Sequence, residues 1–312
     1  MKHIGNKISA MNFNWLWVKA VTAILLDGKW TNPRGFKCKE LISAQLILTD
    51  PKQCLITLKD RKLNYIYLII EKFMYLSQFQ DPEILIAYNK QMQNYLNEEG
   101  KFDGAYGDRI AKNNQLEWCY NELLKDPDSR RAVVTIHDAT DCNHETKDSA
   151  CTLNWHFMIR EGKLDMIVNM RSNDILWGTC LDVPAFSFIQ EVMAKWLSIE
   201  RGKYIHNTSS LHFYDTTEKQ ILDIVNGDMK TNGQNIPIWD IPYDLTKFAL
   251  EQFWEGEKMI REDGTFKLTD FPVINEYLFQ LVEYWKKRKE KQNGHENIVG
   301  AKEVPITGGE SE

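Results

Sequence analysis

The chain of 312 residues has no apolar run approaching the ~20 residues that a membrane-spanning helix needs. Its opening stretch, "MKHIGNKISAMNFNWLW", lacks the short apolar segment and small-residue cleavage site of a secretory signal. A cytoplasmic protein without a membrane partner is therefore expected. Cysteine is sparse and scattered: Cys38, Cys54, Cys119, Cys142, Cys151 and Cys180 form no CxxC pair, and none has a His at ligand spacing. Neither a disulfide framework nor a metal site is expected. Positive charge is not in excess. A formal net charge of −6 argues against broad attraction to nucleic acid, although it leaves room for a local basic pocket. Repeats and low-complexity linkers are missing until the last twenty or so residues, "NGHENIVGAKEVPITGGESE", which read as a flexible tail over 291–312.

What is present suits a folded domain. Residues are 43% hydrophobic and 26% charged, enough for a real core, and one domain over 1–290 is expected. Helical spacing runs through 11–26, and "ELISAQLILTD" and "CLITLK" read as strands either side of Pro51. A helix pair at about 64–78 and 82–98 precedes the Gly-punctuated loop "EEGKFDGAYGDRI", a helix at about 113–125 and a strand at 132–136. The strand pair "TLNWHFMIR" and "LDMIVNM" flanks the turn "EGK", followed by a helix at 183–199, a strand ending "SSLHFY", and helix again from about 216. Strands interleave irregularly with long helices, which predicts an α+β fold rather than a doubly wound parallel sheet.

One stretch sets the functional question. "NMRSNDILWGTCLD", residues 169–182, lies between two core-like segments yet carries Arg171, Asp174 and Asp182. Charges in such a place cost several kcal/mol unless each finds a partner. Other candidates have ordinary readings when taken singly. Cys151 opens an apolar strand, Ser129, Arg130 and Arg131 form a basic turn, and His212 and Tyr214 alternate along a strand. Glu71 lies in a helix and Tyr106 in a Gly loop.

Together the segments "DPDSRRAVV", "ACT" before a strand pair, "RSND" followed by Gly178, and "LHFY" resemble the thymidylate synthase and pyrimidine hydroxymethylase family, over roughly residues 30–225. The resemblance implies a mixed sheet covered by helices, with one sheet face forming a homodimer interface. It also implies a pyrimidine nucleoside monophosphate as substrate and 5,10-methylenetetrahydrofolate as co-substrate. The chemistry explains the residue types. C5 of a pyrimidine becomes nucleophilic only after a thiolate adds at C6, and Cys151 matches that nucleophile. Arg171 and Ser172 match the phosphate ligands, Arg130 and Arg131 match those that reach over from the other subunit, and Arg34 in "NPRGF" is a further phosphate candidate. His212 and Tyr214 match the sugar ligands, and Asp174 the ligand of the folate pterin. Glu71 matches the glutamate that organises water and proton transfers, and Tyr106 the tyrosine that assists loss of the C5 proton.

Three departures point within the family. Asp182 stands where synthases acting on deoxyuridylate carry Asn, and an acid can both accept from the cytosine amine and protonate N3. Thr152 follows the nucleophile where the synthases have His, as in the phage deoxycytidylate hydroxymethylases. The apolar tail that closes over the folate in synthases has no visible counterpart. The expectation is a dCMP 5-hydroxymethyltransferase with Cys151, Glu71, Tyr106 and Asp182 as catalytic residues, in a phage DNA-modification setting. Alternatives are a CMP enzyme, a deoxyuridylate-using synthase or hydroxymethylase, and a non-catalytic nucleotide-binding homologue.

Overall fold

The computed structural model describes residues 6–143, 146–227 and 230–299. Two compact units emerge, residues 1–246 and 247–312, where the sequence suggests one domain to about 290.

The first unit opens with β1 (Asn6–Ala10), α1 (Phe13–Asp27), β2 (Lys29–Thr31) and β3 (Cys38–Leu48). A helical stretch follows: α2 (Tyr65–Ser77), α3 (Pro82–Tyr88), α4 (Tyr106–Ala111) and α5 (Gln115–Lys125). Then come β4 (Val133–Thr135), β5 (Thr152–Arg160), β6 (Lys163–Met170), β7 (Asn173–Asp174), α6 (Gly178–Trp196), β8 (Glu200–Tyr214) and α7 (Glu218–Asn226). The strands form one mixed sheet in the order β1-β3-β8-β6-β5-β4, with β2 on β3 and β7 on β8. This is the expected α+β arrangement.

Alternation along each strand sorts the two faces. Leu46, Trp155, Phe157, Met166, Val168 and Tyr204 point to the helix side and are fully buried. Trp155 packs on Phe186 of α6 at 4.9 Å and on Tyr75 of α2 at 6.2 Å. Burial of Phe157 and Phe186 contributes about 1.5–3 kcal/mol each. The opposite face carries a row of amides in register across four strands: Gln45 donates to Asn207 at 3.0 Å, Asn207 to Asn169 at 2.9 Å, and Asn169 to Asn154 at 2.8 Å.

Local differences from the sequence reading have physical causes. "CLITLK" forms no strand, because β1 and β8 already occupy both edges of β3; of that stretch, Leu58 makes only an isolated bridge to Thr231. The helix placed at 183–199 begins at Gly178 and keeps Pro184 inside it, where the proline supplies no N–H to the preceding turn. The second helix of the 64–98 pair stops at Tyr88 and continues as a 3-10 stretch, Lys90–Tyr95. The hairpin at "EGK" is as expected: Glu161 and Gly162 both have positive φ, the requirement of the tight turn joining β5 to β6.

The second unit holds most of α8 (Tyr243–Asp263) and α9 (Pro272–Val299). The helical backbone of α9 thus enters the stretch expected as a tail from 291, while 300–312 lie outside the described residues.

Candidate active site

The hairpin of β5 and β6 brings the ends of its strands together, and there the Arg171 backbone N–H donates to the Cys151 carbonyl at 2.9 Å. The guanidinium of Arg171 turns back over the same loop, with Nε on the Ala150 carbonyl and Nη2 on the Ser149 carbonyl, both at 2.9 Å. Its charge favours the Cys151 thiolate, as does that of Arg34. Burial is the larger effect and, with Asp182 and Asp148, holds the Cys151 thiol above its ordinary value. Without a further cation, Cys151 stays a thiol. A phosphate bound at Arg171 would draw that guanidinium toward itself, so nucleotide binding and thiol chemistry share one residue.

Tyr106, the first residue of α4, reaches the same loop. Its hydroxyl oxygen accepts the backbone N–H of Cys151 at 3.2 Å and that of Thr152 at 3.0 Å. Burial first, then Cys151 and Asp182, pushes its ionisation far above the ordinary tyrosine range. Tyr106 therefore stays a neutral hydroxyl whose oxygen holds the loop through these two bonds.

Glu71 lies midway along α2, flanked at helical spacing by Tyr67 and Tyr75. The Tyr67 hydroxyl donates to its Oε1 at 3.1 Å, and hydrogen bonds from Tyr75 and Tyr67 lower its pKa. Burial outweighs both and raises Glu71 to about 7. Asp182, one turn into α6, is raised to about 8 by burial and then by the charge of Glu71, against a hydrogen bond from Asn173. Two buried carboxyls whose pKa values are raised toward neutrality, one influencing the other, form a candidate acid-base pair.

The charges of the 169–182 stretch do not pair with one another. Arg171 serves carbonyls, and Asp182 accepts from Asn173 Nδ2 at 2.7 Å. Asp174 accepts at Oδ1 from the backbone N–H of Leu176 at 2.7 Å and of Trp177 at 2.6 Å. Its Oδ2 is buried and has no partner among the described residues, an acceptor that fits a donor-rich heterocycle such as the pterin of a folate.

His212 and Tyr214 close the end of β8, their rings edge to face at 5.2 Å. Burial first, then the charges of Asp174 and Cys38, raises the Tyr214 pKa, with Arg34 opposing and Cys151 adding, so these residues lie in one neighbourhood. Arg34 sits exposed in the turn Pro33–Gly35 with φ 53, on the left-handed side that a non-glycine residue adopts at a cost. Ser172 is half-buried beside Arg171. Arg130 and Arg131 stand apart: both are exposed, and Ala132 pairs with Phe157, six residues along β5 from Cys151, on the order of 20 Å at strand spacing. Within one chain they do not join the cleft.

Sequence reasoning missed several residues. Tyr67 and Tyr75 were legible as the i−4 and i+4 neighbours of Glu71. Arg61, with Nε 3.4 Å from Cys180 Sγ and its guanidinium 5.1 Å above the Trp177 ring, carried no local signal. Neither did His206. Among the described residues no cluster of three or more His, Cys, Asp or Glu could hold a metal ion, and no helix is long and apolar enough to cross a membrane.

The thymidylate synthase family model matches residues 16–254, more than half of the chain and every residue of this cleft. The chain belongs to the thymidylate synthase family. It is 30% identical over 288 residues to the deoxyuridylate hydroxymethyltransferase of Bacillus phage SP01, covering 80% of this chain and 74% of that protein. The deoxyuridylate hydroxymethyltransferase of Delftia phage PhiW-14 is 32% identical over 214 residues, covering 64% and 60%. Thermostable thymidylate synthase A from Bacillus subtilis shares the fold, with a TM-score of 0.60 at 19% identity over 70% of this chain and 86% of that one. As a thymidylate synthase family member, the protein is an enzyme of one-carbon transfer to pyrimidines, and methylenetetrahydrofolate is the family's co-substrate.

Proposed function

We propose that the enzyme is a deoxycytidylate 5-hydroxymethyltransferase. The observation that carries this reading is the buried carboxyl of Asp182, at about 8, in the cleft with Cys151 and Glu71. A neutral acid presents one donor and one acceptor, matching N3 and the exocyclic amine of cytosine. It also has a proton to give N3 as the ring accepts electrons, which an amide lacks. Uracil has O4 to receive that charge and does not need the transfer.

In this reading Arg171 and Ser172 hold the phosphate, with Arg34 beside them, and His212 and Tyr214 hold the sugar. Cys151 loses its thiol proton to solvent and adds as the thiolate to C6 while Asp182 protonates N3. 5,10-Methylenetetrahydrofolate, held by Asp174, supplies the one-carbon unit and leaves as tetrahydrofolate, without oxidation. Loss of the C5 proton accompanies the departure of tetrahydrofolate, and Glu71 and Tyr106 place a water that adds to the resulting exocyclic methylene as the new hydroxyl. Expulsion of Cys151 restores the ring as N3 returns its proton to Asp182. Pyrimidine, methylene carbon and water balance to the 5-hydroxymethyl product. The exposed Arg130 and Arg131 are assigned to the cleft of a second copy, docked on the amide-lined sheet face as a homodimer.

A second reading, a deoxyuridylate hydroxymethyltransferase, is favoured by the names of the two phage relatives. Protonated Asp182 would donate to uracil O4 and accept from N3–H. Tritium release from 5-[³H]-dCMP, 5-[³H]-CMP and 5-[³H]-dUMP with methylenetetrahydrofolate, with product mass and dihydrofolate absorbance, decides between them. Release from dCMP with a hydroxymethyl mass and no dihydrofolate is expected, and CMP in the same assay reports the sugar. Release from dUMP alone would establish the second reading, and a methyl product with dihydrofolate would make the enzyme a synthase.

A further inference from the structure

Behind Asp182 lies a continuous buried chain of hydrogen bonds that the reaction above does not use. The Tyr204 hydroxyl is 2.9 Å from His206 Nδ1, and His206 Nε2 is 3.1 Å from Asn173 Oδ1. Asn173 Nδ2 donates to Asp182 Oδ2 at 2.7 Å. Tyr204 and His206 are fully buried and Asn173 is 4% exposed, so no water completes these bonds from outside. The chain spans three elements: Tyr204 and His206 on β8, Asn173 on β7, Asp182 on α6.

Its polarity follows from donor and acceptor counting. Because the Asn173 amide nitrogen faces Asp182, the amide oxygen must accept. It does so from the Thr179 hydroxyl and from His206. Nε2 of His206 then carries the proton, Nδ1 is the acceptor, and Tyr204 donates. Burial holds His206 down at about 3, so the ring stays neutral and has one proton to assign. Space for the last link is left by Gly178: a Cβ there would stand 2.8 Å from Asn173 Nδ2 and 3.4 Å from Asp182 Oδ2.

We propose that Tyr204, His206 and Asn173 are positioning residues whose one-way hydrogen-bond chain ends in an N–H on Asp182 Oδ2, leaving Oδ1 to carry the proton offered to the base. Oδ2, already accepting from Asn173, keeps one lone pair for a base N–H. The chain thereby fixes which carboxyl oxygen donates and which accepts, and so sets the enzyme's preference between the amino and the oxo pyrimidine. This inference rests on the assignment of Asp182 as the base-reading residue.

Two measurements test it separately from that assignment. The first is ¹⁵N-histidine NMR of the free enzyme, with His206 identified among the seven histidines by its loss in His206→Gln. A neutral Nε2–H tautomer that does not titrate between about pH 5 and pH 8 is expected. An Nδ1–H tautomer would overturn the proposal, because the amide would then be reversed and Asp182 would donate to Asn173. The second is the ratio of kcat/KM for dCMP to that for dUMP. Asn173→Ala and His206→Leu should change the ratio by up to roughly tenfold, the upper end of the scale of one neutral hydrogen bond. His206→Gln, whose amide can still donate to Asn173, should preserve it. An unchanged ratio in the first two variants, with thermal melting showing them folded, would overturn the proposal. Turnover of neither base by the wild type would overturn the proposed reaction instead, and the nitrogen spectra would still decide the chain.

Discussion

One oxygen of Tyr106 accepts both the Cys151 and the Thr152 backbone N–H, at 3.2 and 3.0 Å, so the nucleophile's loop hangs on a side chain from α4. Both lone pairs are engaged, which leaves the phenolic proton free of these two bonds. Tyr106→Phe removes one oxygen and both of its hydrogen bonds at once. Its kcat for tritium release should fall by about 10²-fold, the range for a positioned proton-handling group, while the nucleotide KM changes little. A loss confined to KM would mean that Tyr106 serves binding alone.

The charge of Arg171 favours the Cys151 thiolate more than any other group does. Removing its charge takes away the largest effect favouring the thiolate and leaves burial, Asp182 and Asp148 unopposed but for Arg34. In Arg171→Ala the pH profile of iodoacetamide alkylation should therefore move to higher pH. Saturating inorganic phosphate should shift the wild-type profile in the same direction, since it partly neutralises the guanidinium.

The carboxyl pair predicts two pH effects. Glu71 at about 7 and Asp182 at about 8 lie above their unfolded values, so the folded chain holds these protons more tightly. Their contribution to stability is complete below the unfolded values of about 4 and is lost as pH rises through 7 and 8. Asp182→Asn has no charge to bury, so its melting temperature should fall less than that of the wild type over the alkaline half of this window. Wild-type turnover should also decline as pH rises through about 8, where Asp182 loses its proton. A melting profile identical in wild type and variant would show that Asp182 is not the titrating group.

Arg130 and Arg131 give a test of assembly. Each is exposed, and Arg131 has only a loose ion pair with Glu122 at 3.9 Å. Arg130→Ala/Arg131→Ala and Cys151→Ala proteins should each be inactive alone. Mixed under conditions that exchange subunits, they should regain tritium release, because one cleft in the hybrid has both its own Cys151 and a neighbour's arginines. No recovery from a mixture shown to contain hybrids would place these arginines outside the cleft.

Much of the site was legible because its chemistry lies in short motifs. "ACT", "RSND" and "LHFY" each sit where a strand ends, and the alternation of β5 and β6 predicted the hairpin that brings Cys151 beside Arg171. Periodicity also found α1, α2 and β8. It failed at 54–59, where an apolar run reads as a strand but neither edge of β3 is open to it. It failed again at Gly178, where the helix begins before its proline.

The sequence by itself determined the family motifs and the residue types in them: a cysteine before a strand pair, an arginine in "RSND", and an acid at Asp182. Tertiary structure decided their ionisation and direction. Glu71 and Asp182 reach neutral pKa values only because folding buries them near one another, from helices more than a hundred positions apart. His206 acquires meaning only through Asn173 and Tyr204, since a hydrogen-bond chain has polarity only when both of its ends are in place. Desolvation and bond direction belong to surroundings assembled by distant segments, so no local pattern records them.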